Sequence, residues 1–241
     1  DLSAEKGVIL SVGHIERHNP VVTETYNRIV SGEWGDIISI NAKRVSPLET
    51  QSFLKNEIRR INDVGVLYDL SIHDVDIISY FANSPIVLAS AMGSSTSIIK
   101  HEDNIGILLK FENGITAISE ANWLSPIKER SLKITFKKHN VFLDFIKKTI
   151  EVSSAKQIPK TSATLSSGEW DRQSFIVETK NIALNVEEPL KCEIMDFLNA
   201  VKNKGNPLVC GVDGLEAVKI VNACKESMIT GKTIKLGDCK V

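Results

Sequence analysis

The chain has 241 residues, 42% hydrophobic and 24% charged, with a formal net charge of -1. That is enough chain for one large domain or two small ones with a sizeable core. The near-neutral balance lacks the basic excess that a nucleic-acid or membrane-surface binder needs, and no apolar run approaches the roughly 18 residues of a membrane span.

The N-terminal "DLSAEKG" resembles the last turn of a helix, with Gly7 as its stop. It lacks the charged region and long apolar stretch of a signal peptide. "VILSV" (Val8–Val12) reads as a buried strand, so the chain is expected to begin inside a βα series and the natural protein to extend upstream. Asn19-Pro20 is a helix start, with Asn at the N-cap and Pro at the first helical position. Val22, Tyr26, Ile29 and Val30 continue at helical spacing, and Gly32 and Gly35 end the run. "DIISINAKRV" (Asp36–Val45) reads as a strand. Residues 46–62 hold no clean period and read as a loop with basic Lys55, Arg59 and Arg60.

"DLSIHDVD" (Asp69–Asp76) places Asp69, His73 and Asp76 at i, i+4 and i+7. On an α-helix the three share one side over about 10 Å, opposite an apolar stripe of Leu67, Leu70, Ile77 or Ile78, and Phe81. Three readings are open at this point: an acid/base site, a metal cluster, or a solvated face. A metal needs three or four ligands, and nothing positions His14, His18, His101 or His139 beside the stripe.

From Pro85 to about Thr179 short β-rich runs alternate with turns: "IVLASAMG", "IGILLKF", "ITAISEANW", "SLKITF", "NVFLDF", "TIEVSS" and "SFIVET". Two helices close the chain. The first, near Leu190–Val201, has Ile194, Phe197, Leu198 and Val201 on one stripe. The second, near Gly214–Thr230, opens with Asp213-x-x-Glu216 and stops at Gly231. Strands in a run, with helices before and after, give an α+β fold: a large, mostly antiparallel open sheet with helices on one face. Apolar residues on both faces of "ILLKF" and "IVLAS" suggest a second subunit on the far face. Trp34 and Trp123 read as core or interface aromatics. Cys192, Cys210, Cys224 and Cys239 form no C-x-x-C pair and read as reduced thiols of a cytoplasmic protein, with Cys210 and Cys224 in the core.

"VGHIERHNP", "DVGVLYDLSIHDVDIISYF", "NWLSPIKER" and "PLKCEIMDFLNAV…NPLVCGVDGLEAVKIVNACKES" occur in an order that resembles the Gfo/Idh/MocA oxidoreductases over nearly the whole chain. The most specific part is G-x-x-x-D-x-x-x-H-x-x-D, from Gly65 to Asp76. "GHIERHNP" and "NWLSPIKER" look like the UDP-N-acetylglucosamine 3-dehydrogenase-like members. The resemblance implies an N-terminal Rossmann domain that binds NAD or NADP, and a C-terminal α+β domain whose open sheet makes a homodimer or homotetramer. The site lies between the domains. Residues 1–35 would be the last βα unit of a truncated Rossmann domain, and residues 36–241 the substrate-binding and oligomerisation domain. His73 maps to the acid/base histidine and Asp69 to the substrate-positioning aspartate. Arg17, Asn19, Arg44, Asp76, Lys128 and Arg130 are candidates for holding a sugar or nucleotide-sugar substrate, the basic ones because a diphosphate needs cations or N–H groups.

The chain departs from the family pattern in having no G-x-G-x-x-G and no E-K-P, since Glu5-Lys6 is followed by Gly7. It also has Val64-Gly65 where many members have two glycines. The cofactor-binding residues would therefore lie mostly outside the chain, which alone is expected to be inactive and to bind NAD or NADP poorly. A histidine of ordinary pKa near ~6.5 can take a hydroxyl proton as hydride leaves, and the Asp69 carboxylate favours the imidazolium that forms. The rival expectations are a non-catalytic binding or dimerisation module of the same fold and a metal-dependent hydrolase using the Asp/His stripe.

Overall fold

The computed structural model describes residues 2–47, 64–96, 100–157, 175–185 and 187–238. The loop expected at 46–62 lies, beyond Pro47, outside the described residues, as does Cys239.

The helices are α1 (Leu2–Lys6), α2 (Pro20–Val30), α3 (Ile72–Ala82), α4 (Pro189–Asn203) and α5 (Gly211–Thr230). A 3-10 turn, Ile15–His18, precedes α2, and a π-helical turn, Leu67–Ser71, runs straight into α3. The strands are β1 (Ile37–Pro47), β2 (Ile86–Ser94), β3 (Asn104–Phe111), β4 (Thr116–Asn122), β5 (Leu124–Phe136), β6 (His139–Asp144), β7 (Thr149–Gln157), β8 (Phe175–Ile182) and the short β9 (Ile234–Lys235). They form one sheet in the order β8-β7-β6-β5-β1-β4-β3-β2-β9. Only the β1–β4 pair is parallel among the described strands. The expected α+β architecture with a mostly antiparallel sheet is present.

Alternation along the strands sorts the two faces. Ile40, Ala42, Ile105, Ile107, Leu109, Leu132, Ile134, Val141 and Leu143 are buried on one face, where α3 packs on β1 and β4 and α5 on β2. On the other face Met92, Leu108, Ile118 and Phe142 are exposed. Trp34 and Trp123 are buried in the core as expected.

Three local expectations are corrected. Val8–Val12 is not a buried strand. It is extended chain with a single bridge, Ser11 to Cys210, and Val8 and Leu10 are exposed. It lies along the start of α5 because glycines there leave room. A Cβ on Gly214 would stand 2.8 Å from Val12 Cγ2, and one on Gly211 2.7 Å from Leu10 Cδ2. The second correction is the start of α5, one turn earlier than Asp213-x-x-Glu216 suggested. Cys210 is the N-cap, and its backbone N–H donates to Asp213 Oδ2 at 2.8 Å. Cys210 is therefore a half-buried cap residue, whereas Cys224 is core. The third is Cys210 itself, read as core and found at that cap; the expected α4 stripe of Ile194, Phe197, Leu198 and Val201 faces outward, each at least 37% exposed.

The entry to α3 depends on a close approach. Glu102 accepts from Leu67 N through Oε1 at 3.1 Å and from Val66 N through its backbone carbonyl at 2.9 Å. This acidic cap satisfies N–H groups that the first turn leaves without helical partners. Gly65 makes room for it, since a Cβ there would run into the Glu102 carboxylate. Gly65→Ala should displace Glu102 and lower stability by about 1–3 kcal/mol, measured as a lower urea midpoint at unchanged slope.

Candidate active site

The polar centre of the molecule is built from the turn before α2, the helix α3 and strands β1 and β5. The turn "HIERHN" is compact: Asn19 caps α2, accepting from Val21 N at 3.3 Å, and its amide donates to Glu16 Oε2 at 3.1 Å. Two arginines tie the turn and the sheet to α3. Arg17 donates to Asp76 through Nη2 at 2.7 Å and Nε at 3.0 and 3.1 Å, and through Nη1 to Asp213 Oδ1 at 3.0 Å. Arg44, on β1, donates through Nε to Asp74 Oδ1 at 2.7 Å and through Nη1 to Glu16 Oε1 at 2.9 Å. Arg17, Arg44, Glu16, Asp74 and Asp76 are all buried. Burial disfavours each charge; it leaves the Asp74 and Asp76 carboxyls raised despite their arginines, whereas pairing reverses the balance at Arg17, Arg44 and Glu16. The carboxylates around Arg17 and Arg44 hold both guanidiniums above their ordinary range. Burial would raise the Glu16 carboxyl, but Arg44, Asn19 and Arg130 bring it below its ordinary value.

Arg130 stands directly opposite Arg44 across the β1–β5 ladder. Like charges in that position repel, and Glu16 lies between them, 3.6 Å from Arg130 Nη1. Burial and Arg44 push the Arg130 guanidinium below its usual value, against Glu16, Asp74 and Asp69. Lys128 is exposed, two residues along the same strand.

His73 sits on α3 beside this cluster and is half-buried. Burial pushes its imidazole down to about 4, with Arg44, His14 and Arg130 acting in the same direction against Glu16. His73 is thus neutral at pH 7 and able to accept a proton. Asp69 is half-buried and lies in the π-helical turn.

The eight candidates separate into groups. The electrostatic neighbourhood of Asp69, His73, Arg44 and Arg130 is shared. Arg17 and Asp76 instead engage one another and face a different cleft of about 410 Å³, bounded by Tyr26, Tyr80, Asp213 and Glu216. Asn19 serves the helix cap and Glu16. The wet-face reading of the stripe is corrected, because Asp76 and the neighbouring Asp74 are buried. Among the described residues no three His, Cys, Asp or Glu side chains converge as metal ligands.

Glu16 and Asp74 were missed by sequence reasoning, while Asp213 was read only as a helix start and His14 weighed only as a metal ligand. A signal for Glu16 and Asp74 existed: both adjoin singled-out residues in dense charge clusters, "HIERH" and "HDVD". The pairing itself spans 28 residues between Arg44 and Glu16 and has no local trace.

Residues 22–141 match the GFO/IDH/MocA C-terminal domain. The chain is 23% identical over 224 residues to UDP-N-acetylglucosamine 3-dehydrogenase of Acidithiobacillus ferrooxidans, covering 92% of this chain and 62% of that protein. It is 23% identical over 240 residues to scyllo-inositol 2-dehydrogenase (NAD(+)) of Bacillus subtilis, covering 96% of this chain and 64% of that one. A solved levoglucosan dehydrogenase, in complex with NADH and levoglucosan, superposes with a TM-score of 0.75 at 18% identity, over 97% of this chain and 67% of that one. At that identity the likeness is one of fold. The chain spans 62% and 64% of the length of the two sequence relatives. Among the described residues no helix is long and apolar enough to cross a membrane.

The histidine has a thermodynamic signature. His73 remains neutral in the fold down to about 4, whereas in the unfolded chain it protonates near its ordinary ~6.5. Between those values the unfolded state binds more protons, so stability falls as pH falls through this window and levels off below it. The full term is about 3 kcal/mol. His73→Gln should flatten the drop in urea-unfolding free energy between pH 6.5 and 4, relative to the parent chain. A drop of equal size in both would show that His73 is not buried neutral.

Proposed function

Because the chain belongs to the GFO/IDH/MocA family, we propose that it is the substrate-binding portion of an NAD(P)-dependent dehydrogenase. The substrate is a sugar or nucleotide sugar oxidised at a ring hydroxyl, with His73 as general acid/base. The observation that carries the reading is His73 itself: a neutral, half-buried imidazole beside Arg44 and Arg130, inside G-x-x-x-D-x-x-x-H. The names of the relatives agree in class, being dehydrogenases of sugars, inositols and nucleotide sugars.

His73 takes the hydroxyl proton as the hydride departs, and its imidazolium is stabilised by Asp69 and Glu16. Asp69 orients the sugar. Arg130 and Lys128 remain for an anionic part of the substrate, while Arg17 and Arg44 act through their carboxylates to hold α3. A nicotinamide held by residues outside this chain would supply the hydride acceptor. The residues of this chain do not fit its pyrophosphate: there is no G-x-G-x-x-G. The one glycine pair at a helix start, Gly211 and Gly214, is filled by Leu10 and Val12.

In this reading residues 1–35 belong with a cofactor-binding domain and residues 36–241 form the substrate and assembly domain. The outward apolar stripe of α4 supports it, because a helix with only Ala200 buried gains little from packing. Self-association through the open sheet face, where Met92 is 83% and Leu108 53% exposed, belongs to the same reading.

The test is nicotinamide reduction by the protein carrying its cofactor domain, across a panel of UDP-sugars and free polyols. His73→Ala should reduce kcat by about 10²–10⁴-fold, and Asp69→Asn should act mainly on sugar binding. A His73→Ala variant as active as the parent would leave the non-catalytic module as the better account.

A further inference from the structure

The proposed mechanism uses one nitrogen of His73 and leaves the other unexplained. His73 Nδ1 is sealed from solvent and has no hydrogen-bond partner among the described residues. A second buried ring nitrogen in the same condition lies close by. It is Nε2 of His14, a residue only 4% exposed. The two rings meet edge to face, at 89° with centroids 6.3 Å apart. His14 Nε2 is also 3.9 Å from Asp76 Oδ1, beyond direct hydrogen-bond range.

Buried polar atoms are nearly always paired, directly or through ordered water. Two hydrogen bonds through one water span about 5–6 Å, the scale on which the two rings are separated, centroid to centroid. We infer that His14 is a positioning residue: with the Asp76 carboxylate it holds a water-sized polar bridge to His73 Nδ1, and so fixes the tautomer of His73.

The chemistry follows from the inventory of a neutral imidazole, in which one nitrogen donates and the other accepts. An inward acceptor, either His14 Nε2 or the bridge it holds, keeps the hydrogen of His73 on Nδ1. The lone pair is then on Nε2, and Nε2 is the atom offered to a substrate hydroxyl. In the reaction a bond to hydrogen forms and breaks only at Nε2, and no proton passes to His14. The assignment of Nε2 as the proton acceptor rests on the dehydrogenase reading. The tautomer of His73 does not, so the two can fail separately.

Long-range ¹⁵N–¹H NMR on the 241-residue chain reads the tautomer directly. The five histidines can be sorted by the loss of one signal set in His73→Gln. In the parent chain at pH 7, His73 should carry its hydrogen on Nδ1. His14→Phe should move it predominantly to Nε2, the form an imidazole prefers in water. His14→Gln should retain the Nδ1–H form, because an amide can still hold the bridge. Unchanged amide spectra separate this from a general loss of packing. Should His14→Phe not fold, His14→Asn, whose amide is too short to reach, takes its place with the same expected shift. An Nε2–H tautomer in the parent, or an Nδ1–H tautomer that survives His14→Phe or His14→Asn, would overturn the inference. If the tautomer behaves as expected but His73→Ala leaves a dehydrogenase activity intact, the positioning role stands and the proposed function falls.

Discussion

Two buried ion pairs on α3 fix the rest of the site. Asp74 and Asp76 are two residues apart, which on an α-helix turns them roughly 200° from each other. Each is held by an arginine from a different part of the fold: Asp74 by Arg44 of β1, Asp76 by Arg17 of the turn before α2. The helix is therefore gripped on opposite flanks and cannot rotate about its axis without stranding a charge. A buried charge that loses its partner costs several kcal/mol, far more than the pair contributes over an apolar replacement. This arrangement defines a single rotation of α3 and of His73, which it carries.

The same charges set the electrostatics around the histidine. Arg44 and Arg130 lie across one ladder from each other, an unfavourable juxtaposition without Glu16. Glu16 in turn is placed by the Asn19 amide, so a helix cap also orders the anion that separates two cations. The net field disfavours protonated His73. In the proposed dehydrogenase, a histidine required to start neutral gains from this, and the positive charge it would take on is the one that Glu16 favours. Structural pairing and proton chemistry are thus one network, and a change at Arg44 would act on both.

Much of the fold was legible in local pattern. Alternating runs such as "IGILLKF" and "ITAISEANW" became β3 and β4 because their buried residues face one helix layer. Asn19-Pro20 became the start of α2 through the cap chemistry that those two residues carry. The failures share a cause, which is that neighbours decide. "VILSV" has the composition of a buried strand, but a strand needs a ladder, and its contacts here are the glycine-lined start of α5. The stripe Asp69, His73, Asp76 was visible as a spacing. The period assumed a uniform α-helix, whereas Leu67–Ser71 is a π turn that shifts Asp69 relative to His73. Asp76 looked like a wet-face residue because the arginine that buries it is 59 positions away.

The distribution of cations bears on substrate class. Of the four basic residues taken as substrate-binding candidates, two are consumed: Arg17 has three of its contacts on Asp76 and another on Asp213, and Arg44 is shared between Asp74 and Glu16. A guanidinium so engaged cannot also turn toward a ligand without breaking a buried pair. Arg130 touches Glu16 only at 3.6 Å, and Lys128 is exposed on the same strand. A nucleotide diphosphate demands cations or N–H donors, whereas a free sugar needs acceptors and donors without net charge. In the proposed enzyme, the choice between a nucleotide sugar and a free sugar therefore falls, among the candidate cations in the described residues, to the β5 segment Lys128–Arg130, while the chemistry at His73 is common to both.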